Sequence, residues 1–504
     1  MRRLASVASA AARFQHAHSL AVLAAAAAAV HLQATAEAEA REHHAGPTAA
    51  QLAELHAFLH QHGTLLHAVK VAPCGEAGLG LVATATAPPA WSRYLRPAWW
   101  LSWPGPTLAE FPLSAVLLPR TAAASSEPLA RAMLDGGCSE REAVILFLLV
   151  ERARGTDSPL HPYLAVLPAS PPTPLGWSSG ELAELAGTPL VEALAAQRRD
   201  LRATWARLAP LARRMLAAHR CSAEVGETEF CCAFAIFWSR VLAFPDVQAD
   251  VPIGHPVPFV EGIVPGLDFA NHAAAAACRW TLLGPRAGPI TPGPPASMAL
   301  AAGGGRAWPR RGSEVLIDYG EGRSNEELLF TYGFAIADNP ADALLVAPPL
   351  PAGSPAEWDA PVLSRLALLQ AQGLPPRAFL PVAALASQRQ ARAAVEEALH
   401  VLLPFALAET ELARALEAAS PRTGPAPPMP RGAARRGALM LLQGVLEQRK
   451  RALRATGSAA GDAAQLGQPL EARMRAALLY RLPLKTAAEG YLALVTSMLA
   501  AELE

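Results

Sequence analysis

Three polar side chains that could bind a ligand or orient a reacting group lie close together in the chain. Asp268, Asn271 and His272 directly follow an apolar, strand-like run at residues 262–267. An amide both donates and accepts hydrogen bonds, an ionised carboxylate only accepts, and the roles of a histidine ring depend on its tautomer. Taken alone, this pattern is also typical of a capped turn, in which such side chains bind their own backbone.

Three other segments offer groups suited to binding or orienting a ligand. Tyr319 lies between Asp318 and Gly320 at the end of a predicted strand, and its hydroxyl can donate and accept hydrogen bonds. The Gly-Leu-Gly sequence of residues 78–80 allows the backbone to approach a ligand closely. The guanidinium of Arg240 suits a carboxylate, which it can bind through two parallel hydrogen bonds. Taken alone, residues 78–80 could also be an ordinary turn, Tyr319 a core tyrosine and Arg240 a surface arginine.

The order of these segments resembles the SET-domain family of protein methyltransferases. The matching segments are, in chain order, a Gly-rich hairpin, Trp238-Ser239-Arg240, Pro265-x-x-Asp268-x-x-Asn271-His272, Tyr319-Gly320, Ser324-Asn325-Glu326-Glu327 and Tyr332-Gly333-Phe334. The chain is most similar to the branch that contains the Rubisco large-subunit lysine methyltransferases and the actin-histidine methyltransferase. The resemblance covers about residues 65–342, and residues 476–481 are similar to a recurring segment of the last domain in that branch.

The resemblance implies a reaction as well as a fold. SET proteins transfer a methyl group from S-adenosyl-L-methionine (AdoMet) to a protein side chain. A lysine amine has a pKa of about 10.4 and must lose its proton before it can attack the methyl group. An apolar channel and a nearby positive sulfonium both favour the neutral amine. The resemblance therefore implies a protein-lysine N-methyltransferase with AdoMet as its cofactor.

The family pattern also implies a role for each matching residue. Tyr319 is implied to be the catalytic residue, whose hydroxyl orients the amine and the departing methyl group. Arg240 is implied to bind the methionine carboxylate, Asn271 the amino-acid end of the cofactor, and the backbone of His272 the adenine edge. The other positions implied to contact the cofactor are Gly78, Leu79, Gly80 and Phe334. Two residues are implied to line the site, Ser239 and Asp268.

The sequence departs from the family pattern upstream of the helical region. Many relatives carry an arginine where this chain has Leu79, so that contact to the cofactor is absent. Gly105-Pro106 stands where the family usually has Gly-Glu, and proline removes one backbone N–H donor. The surrounding stretch, residues 87–110, is rich in proline and tryptophan.

Three functions are compatible with these observations. The leading hypothesis is a lysine methyltransferase that acts on a folded protein. A second has the same site but methylates a histidine ring, which is already mostly neutral near pH 7.5 and needs less help from the channel. A third is a catalytically silent SET protein that binds or assembles a partner through its C-terminal helices. The altered stretch at residues 87–112 favours this hypothesis, and the retained Tyr319, Arg240, Asn271 and His272 oppose it.

The predicted strands and helices that must hold these segments indicate an α+β protein. A β-rich SET fold is expected over residues 46–345, interrupted by a helical insertion at about 139–243, with a helical substrate-binding domain over 352–504. Capping boxes at Ser139 and Ser324 predict helix starts. Residues 285–311, dense in Pro, Gly and Ala, are predicted to be a variable loop, and the chain beyond about residue 352 is predicted to be all-helical.

Composition limits the class of partner. The 504 residues include 43 basic and 43 acidic side chains, so no field of one sign favours nucleic acid as a partner. The six cysteines are scattered without zinc-site spacing, which predicts free thiols and no metal. The apolar run at residues 20–30 is shorter than the roughly 20 residues that span a bilayer, so no membrane span is predicted.

The start of the chain predicts a targeting segment over residues 1–45. The first 36 residues contain three arginines, several serines and many alanines, and the first acidic residue is Glu37. This composition is typical of an organelle transit peptide, with a secretory signal as the rival interpretation. We expect import into the chloroplast, with the mitochondrion or the cytoplasm as alternatives. By analogy with the family, the substrate would then be the Rubisco large subunit or a sugar-bisphosphate aldolase.

Overall fold

A computed structural model defines the fold over most of the chain. It describes residues 46–75, 78–85, 107–170, 173–249, 255–284, 296–303, 308–351, 357–419, 421, 429 and 431–503. The predicted leader at residues 1–45 lies outside the described residues, as do residues 86–106, which hold most of the Pro/Trp-rich stretch.

The chain divides into two compact units. One comprises Met1–Ser179 with Arg198–Glu321, and the other comprises Gly180–Gln197 with Gly322–Glu504. In this division, part of the predicted insertion and the chain after the Tyr-Gly motif group with the C-terminal helices. The domain boundaries expected from the sequence stay a prediction.

The described strands of the first unit form three antiparallel sheets. The strands are β1 (Leu65–Leu66), β2 (Val69–Pro73), β3 (Leu79–Ala83), β4 (Thr107–Pro112), β5 (Val241–Pro245), β6 (Phe259–Ile263), β7 (Cys278–Leu283), β8 (Ser297–Ala302) and β9 (Glu314–Val315). Their orders are β1-β4-β8-β7, β2-β3-β9 and β5-β6. In β2, Val69 and Val71 are buried on either side of exposed Lys70, the alternation expected when one sheet face meets a core.

Eight α-helices lie in the described residues up to Arg240. They are α1 (Ala49–Gln61), α2 (Pro119–Ser125), α3 (Glu127–Leu134), α4 (Glu140–Ala153), α5 (His161–Leu164), α6 (Ser179–Ala183), α7 (Pro189–Ala218) and α8 (Glu227–Arg240). The predicted capping box at Ser139 is confirmed, because its side chain accepts from the Glu142 N–H and the Glu142 carboxylate accepts from the Ser139 N–H. Helix α4 then buries residues 143–150 without interruption, so it lies within the core of the first unit.

The prediction of a loop throughout residues 285–311 is wrong for β8. This strand pairs with both β4 and β7, and all six of its residues are buried. Its sequence, Ser-Met-Ala-Leu-Ala-Ala, has no alternation because both faces are covered, and alanine is a weak strand former. Tertiary packing therefore determines a strand that local preference does not indicate.

The second unit is mainly helical but contains one small sheet. Its elements are α9 (Asn325–Tyr332), β10 (Ala343–Val346), α10 (Ala360–Ala371), β11 (Ala378–Pro381), α11 (Gln388–Ala406), α12 (Glu409–Glu417), α13 (Ala433–Leu453), α14 (Ala459–Leu466) and α15 (Ala472–Leu503), with the segment Gly180–Gln197. Strand β11 pairs antiparallel with β10, so the expectation of an all-helical chain beyond residue 352 is wrong at this point. The α+β class is confirmed.

A buried ionic network crosses the interior of the second unit. Arg481 donates to both carboxylate oxygens of Asp462 at 2.9 and 3.0 Å, and Lys485 donates to the same carboxylate at 2.6 Å. Arg481 also binds Glu184, which lies in the segment Gly180–Gln197. Because buried charges must be paired, these contacts fix that segment to α14 and α15. They also give Arg481, the last residue of the segment 476–481, a structural role.

Three further observations concern the part of the chain that the structure describes. All six cysteines are unpaired. No cluster of three or more His, Cys, Asp or Glu side chains there could hold a metal ion. None of the described helices combines the length and apolar character needed to cross a membrane.

Candidate functional site

Two motif segments lie side by side in the first unit: the one that contains Asn271 and His272, and the one that contains Tyr319. The N–H of Ile317 donates to the carbonyl oxygen of Asn271 at 2.9 Å, and the N–H of Ala273 donates to the carbonyl oxygen of Ile317 at 3.0 Å. The bridge between His272 and Ile317 is parallel. The strand predicted to end at Tyr319 is regular only over β9, which pairs with β3, and Ile317 beyond it pairs instead with the Asn271–His272 segment. Segments separated by more than 40 residues thus meet at Asn271, His272 and Tyr319.

Tyr319 is held at this crossing by two hydrogen bonds. Its hydroxyl donates to the carbonyl oxygen of Ala270 at 2.9 Å, and its backbone N–H donates to Nδ1 of His272 at 3.1 Å. The two rings lie 5.1 Å apart, centroid to centroid. The hydrogen bond from Tyr319 assigns Nδ1 of His272 as an acceptor, and the same nitrogen lies 3.9 Å from Oδ1 of Asp318.

Asn271 connects the crossing to the Gly-rich hairpin. Its Nδ2 donates to the carbonyl oxygen of Leu79 at 3.2 Å and to Oε1 of Glu314 at 2.6 Å. These two bonds use both amide hydrogens, so Oδ1 is the polar atom of this side chain that can still bind a ligand. The structure places Asn271 in direct contact with the hairpin. The contacts of both with the cofactor stay predictions.

Gly80 lies where three other side chains converge. A Cβ added at Gly80 would lie 2.6 Å from Oε1 of Glu314, 2.7 Å from Sγ of Cys74 and 2.9 Å from Nδ2 of Asn271. Real Cβ atoms do not approach other atoms this closely, so a side chain at this position would force at least one of the three to move. We call Cys74, Gly80, Asn271 and Glu314 the hairpin cluster.

Two features of the hairpin turn complete this region. Gly78 has a φ of +76°, which favours glycine, and its carbonyl oxygen accepts the Cys74 N–H at 2.7 Å. Burial and the adjacent Glu314 carboxylate raise the pKa of the Cys74 thiol to about 11. The thiol therefore stays protonated and weakly reactive at physiological pH.

A second cluster surrounds the end of helix α8. Nη1 of Arg240 donates to the backbone oxygen of Asp268 at 3.1 Å and to its Oδ2 at 2.8 Å. The hydroxyl of Tyr163 donates to the same Oδ2 at 2.7 Å, and the N–H of Gly266 donates to Oδ1 at 2.9 Å. We call Tyr163, Arg240 and Asp268 the arginine cluster. It confines the Asp268 carboxylate, whose side chain is fully buried, among three donors.

Electrostatics in the arginine cluster follow from this burial. Burial, the largest single influence, lowers the pKa of Arg240, but the Asp268 carboxylate together with Tyr163 and Tyr319 raises the pKa above its ordinary value. Burial, reinforced by Asp268, raises the pKa of Tyr163 well above its ordinary value. Arg240 is therefore charged and Tyr163 neutral at any physiological pH. The predicted bond between Arg240 and a cofactor carboxylate stays a prediction, because the structure pairs Arg240 with Asp268.

The remaining predicted site residues have other surroundings. The Ser239 hydroxyl lies 3.3 Å from the carbonyl oxygen of Ile236 within α8. Phe334 belongs to the second unit, and its ring centroid lies 6.2 Å from that of Tyr332. The predicted contacts of Ser239 with a substrate and of Phe334 with adenine stay predictions.

Two residues with clear contacts to the site were not assigned roles from the sequence. Glu314 binds Asn271, and it opens the same seven-residue segment that contains Tyr319, so its position offered a signal. Tyr163 binds Asp268 from 105 residues away in sequence, and no local pattern marks it.

The fold matches solved structures of one methyltransferase. The structure of Rubisco LSMT bound to AdoMet is 19% identical in sequence, with a TM-score of 0.61 over 90% of this chain and 93% of that chain. The SET domain of LSMT bound to MeLysine and AdoHcy is 18% identical, with a TM-score of 0.60 over 91% and 94% of the two chains. Comparisons with protein-family models and with curated proteins give no match. The resemblance to this SET branch is therefore confirmed in the fold.

Proposed function

We propose that this chain is an AdoMet-dependent protein-lysine N-methyltransferase. The observation that carries the proposal is the hydroxyl of Tyr319, held 2.9 Å from the Ala270 carbonyl oxygen where the two motif segments cross. The Asn271 amide and the Gly-rich hairpin lie directly beside that crossing. Support also comes from the shared fold, since Rubisco LSMT has been solved with AdoMet, and the SET domain of LSMT with Lysine and AdoHcy.

The residues present fit AdoMet. A Cβ added at Gly78 would meet nothing within 4 Å, so the turn borders open space, whereas Gly80 fits tightly against the hairpin cluster. Asn271 offers an acceptor oxygen to a ligand ammonium group, and the hairpin offers backbone. When bound, AdoMet would supply a methyl group on a positively charged sulfur. A neutral amine would attack the methyl carbon in line with the carbon–sulfur bond, and the sulfur would leave.

Tyr319 would perform the positioning that this reaction requires. Its hydroxyl donates its hydrogen to Ala270, and a phenolic oxygen also accepts hydrogen bonds, so it would accept an N–H of the incoming amine. Accepting that N–H turns the amine lone pair in a defined direction, and such alignment accounts for much of the rate of a displacement reaction. The Tyr319 hydroxyl accepts a hydrogen bond from the amine but does not remove a proton from it. Deprotonation of the amine therefore depends on its surroundings and not on Tyr319 acting as a base.

We further propose that the substrate is a folded chloroplast protein, with the Rubisco large subunit or a sugar-bisphosphate aldolase as the first candidates. The acid-poor, arginine-containing composition of residues 1–36 supports the compartment. The shared fold with Rubisco LSMT supports the substrate class by analogy.

The test uses the full-length chain with methyl-labelled AdoMet and a chloroplast extract. We expect label on a protein, located on a lysine by peptide mass spectrometry, and AdoMet binding in calorimetry without the extract. Label on a histidine would assign the same site to the other acceptor. Absence of both label and AdoMet binding would leave the chain as a binding or assembly protein and contradict the proposal.

A further inference from the structure

The carboxylate of Glu314 lies where separate segments of the first unit meet. Glu314 opens β9 and pairs with Val82 of β3. Its Oε1 lies 2.6 Å from Nδ2 of Asn271, and the same oxygen would lie 2.6 Å from a Cβ added at Gly80. The absence of a side chain at Gly80 is therefore what allows Glu314 to reach Asn271 over the hairpin.

The bond from Asn271 to Glu314 fixes the orientation of the amide. A hydrogen bond to an ionised acceptor is about twice as strong as one between neutral groups. The second amide hydrogen is bonded to the Leu79 carbonyl oxygen at 3.2 Å. If the amide were rotated by a half-turn, Oδ1 would face two acceptors and both bonds would be replaced by repulsion. The two acceptors together therefore admit one orientation.

We propose that Glu314 is a positioning residue of the cofactor site, which holds the Asn271 amide so that its oxygen is left for the ligand. This inference rests on the proposed function. A fixed acceptor oxygen binds a hydrogen-bond donor, such as the ammonium group of an amino-acid moiety, and disfavours a carboxylate. Glu314 thus makes Asn271, which in isolation can donate or accept, specific for one end of an amino-acid ligand.

A purely structural role for Glu314 predicts different behaviour. If the side chain only stabilised the pairing of β3 with β9, its loss would lower thermal stability without a selective effect on AdoMet affinity. Glu314→Gln separates the two roles, because glutamine keeps an acceptor oxygen for Asn271 and loses the charge. Glu314→Ala removes the acceptor, and Glu110→Ala, which shortens a half-buried glutamate on β4, serves as the matched control.

The experiment measures AdoMet dissociation constants by calorimetry on the full-length chain, with a melting temperature for each variant. Glu314→Ala is expected to weaken AdoMet binding about tenfold or more, the usual effect of losing a hydrogen bond to a charged group. Glu314→Gln and Glu110→Ala should stay within about threefold of the wild type, because neither removes an acceptor from Asn271. In an Asn271→Ala background, Glu314→Ala should cause no further loss, since the residue through which it acts is gone.

Each other outcome overturns a defined statement. Equal AdoMet affinity of the wild type and Glu314→Ala, or equal losses from Glu314→Ala with and without Asn271, would refute the positioning role while leaving the proposed function intact. Failure of the wild type to bind AdoMet would refute the proposed function and this inference with it. If Glu314→Ala does not fold, Glu314→Met, which retains the side-chain volume without the acceptor, is measured in its place.

Discussion

The hydroxyl of Tyr319 donates a hydrogen bond to the carbonyl oxygen of Ala270, 2.9 Å away. Ala270 immediately precedes Asn271, whose amide binds the Leu79 carbonyl oxygen of the Gly-rich hairpin. The group proposed to orient the amine and the group proposed to hold the cofactor are therefore joined through one peptide bond. A disturbance on either side of this connection should affect the other.

Gly80→Ala tests how closely the hairpin cluster is packed. The added methyl group would lie within 2.6–2.9 Å of Glu314, Cys74 and Asn271, so at least one of these side chains must move. We expect AdoMet affinity to fall about tenfold, as for the loss of a hydrogen bond to a charged group, in calorimetry. Gly284→Ala is the control, because a Cβ there would meet nothing within 4 Å. Equal affinities for the two variants would mean that the cluster does not set cofactor binding.

Tyr163→Phe tests the buried hydrogen bond to Asp268. The variant keeps the ring but removes a donor to a carboxylate, which should destabilise the chain by about 1.5–3 kcal/mol. Tyr491→Phe is a matched control, because its hydroxyl donates to the neutral Pro381 carbonyl at 2.8 Å and its loss should cost about 0.5–1.5 kcal/mol. Calorimetric melting of both variants gives the comparison. A smaller effect at Tyr163 than at Tyr491 would contradict the account of the arginine cluster.

Gly187→Ala tests whether the segment Gly180–Gln197 is an integral part of the second unit. A Cβ at Gly187 would collide with the backbone of Ala452 and Leu453 at the end of α13, and its φ is +80°. Gly373→Ala isolates the cost of a positive φ, about 1–2 kcal/mol, because nothing lies within 4 Å of its added Cβ. We expect a clearly larger loss of thermal stability at Gly187. Equal losses at both positions would contradict the packing of this segment against α13.

The buried carboxyl group of Asp342 should make the free energy of unfolding depend on pH. Burial raises its pKa to about 6, although hydrogen bonds from the backbone and side chain of Asn325 act in the opposite direction. Because the folded-state pKa exceeds the unfolded value near 4, folding favours the protonated form. The stabilising contribution of protonated Asp342 is fully present below about pH 4 and is lost as the pH rises through about 6. The free energy of unfolding should fall by roughly 3 kcal/mol over this range.

The Asp342→Asn variant isolates this contribution, because it removes the titration while keeping the side-chain volume. Melting temperatures of the wild type and the variant are measured between about pH 4 and pH 7. The wild type should lose more stability than the variant as the pH rises. Parallel profiles would show that Asp342 does not titrate in this range.

Features set by local sequence were predictable. The capping boxes at Ser139 and Ser324 both form, because the cap and its partner are only three residues apart. The order of the motifs predicted the SET-type fold, which the solved structures of Rubisco LSMT share. The candidate site forms only where the two motif segments pair, so neither segment by itself identifies it.

Features set by distant contacts were not predictable from the sequence alone. Strand β8 is an alanine-rich run whose strand conformation depends on β4 and β7 lying on both sides of it. Tyr163 acquires its role only when the fold brings it to Asp268. The grouping of Gly180–Gln197 with the C-terminal helices depends on buried ion pairs, such as that between Arg481 and Glu184, which no local pattern indicates.

The most direct test of the central claim compares methyl transfer and AdoMet binding in the wild type and Tyr319→Phe. With methyl-labelled AdoMet and a protein acceptor, the wild type should label a lysine. Tyr319→Phe should transfer label about 100-fold more slowly, because the amine loses its alignment, while its AdoMet affinity stays within about threefold. Transfer at the wild-type rate by Tyr319→Phe, or collapse of its AdoMet binding, would contradict the role assigned to this hydroxyl.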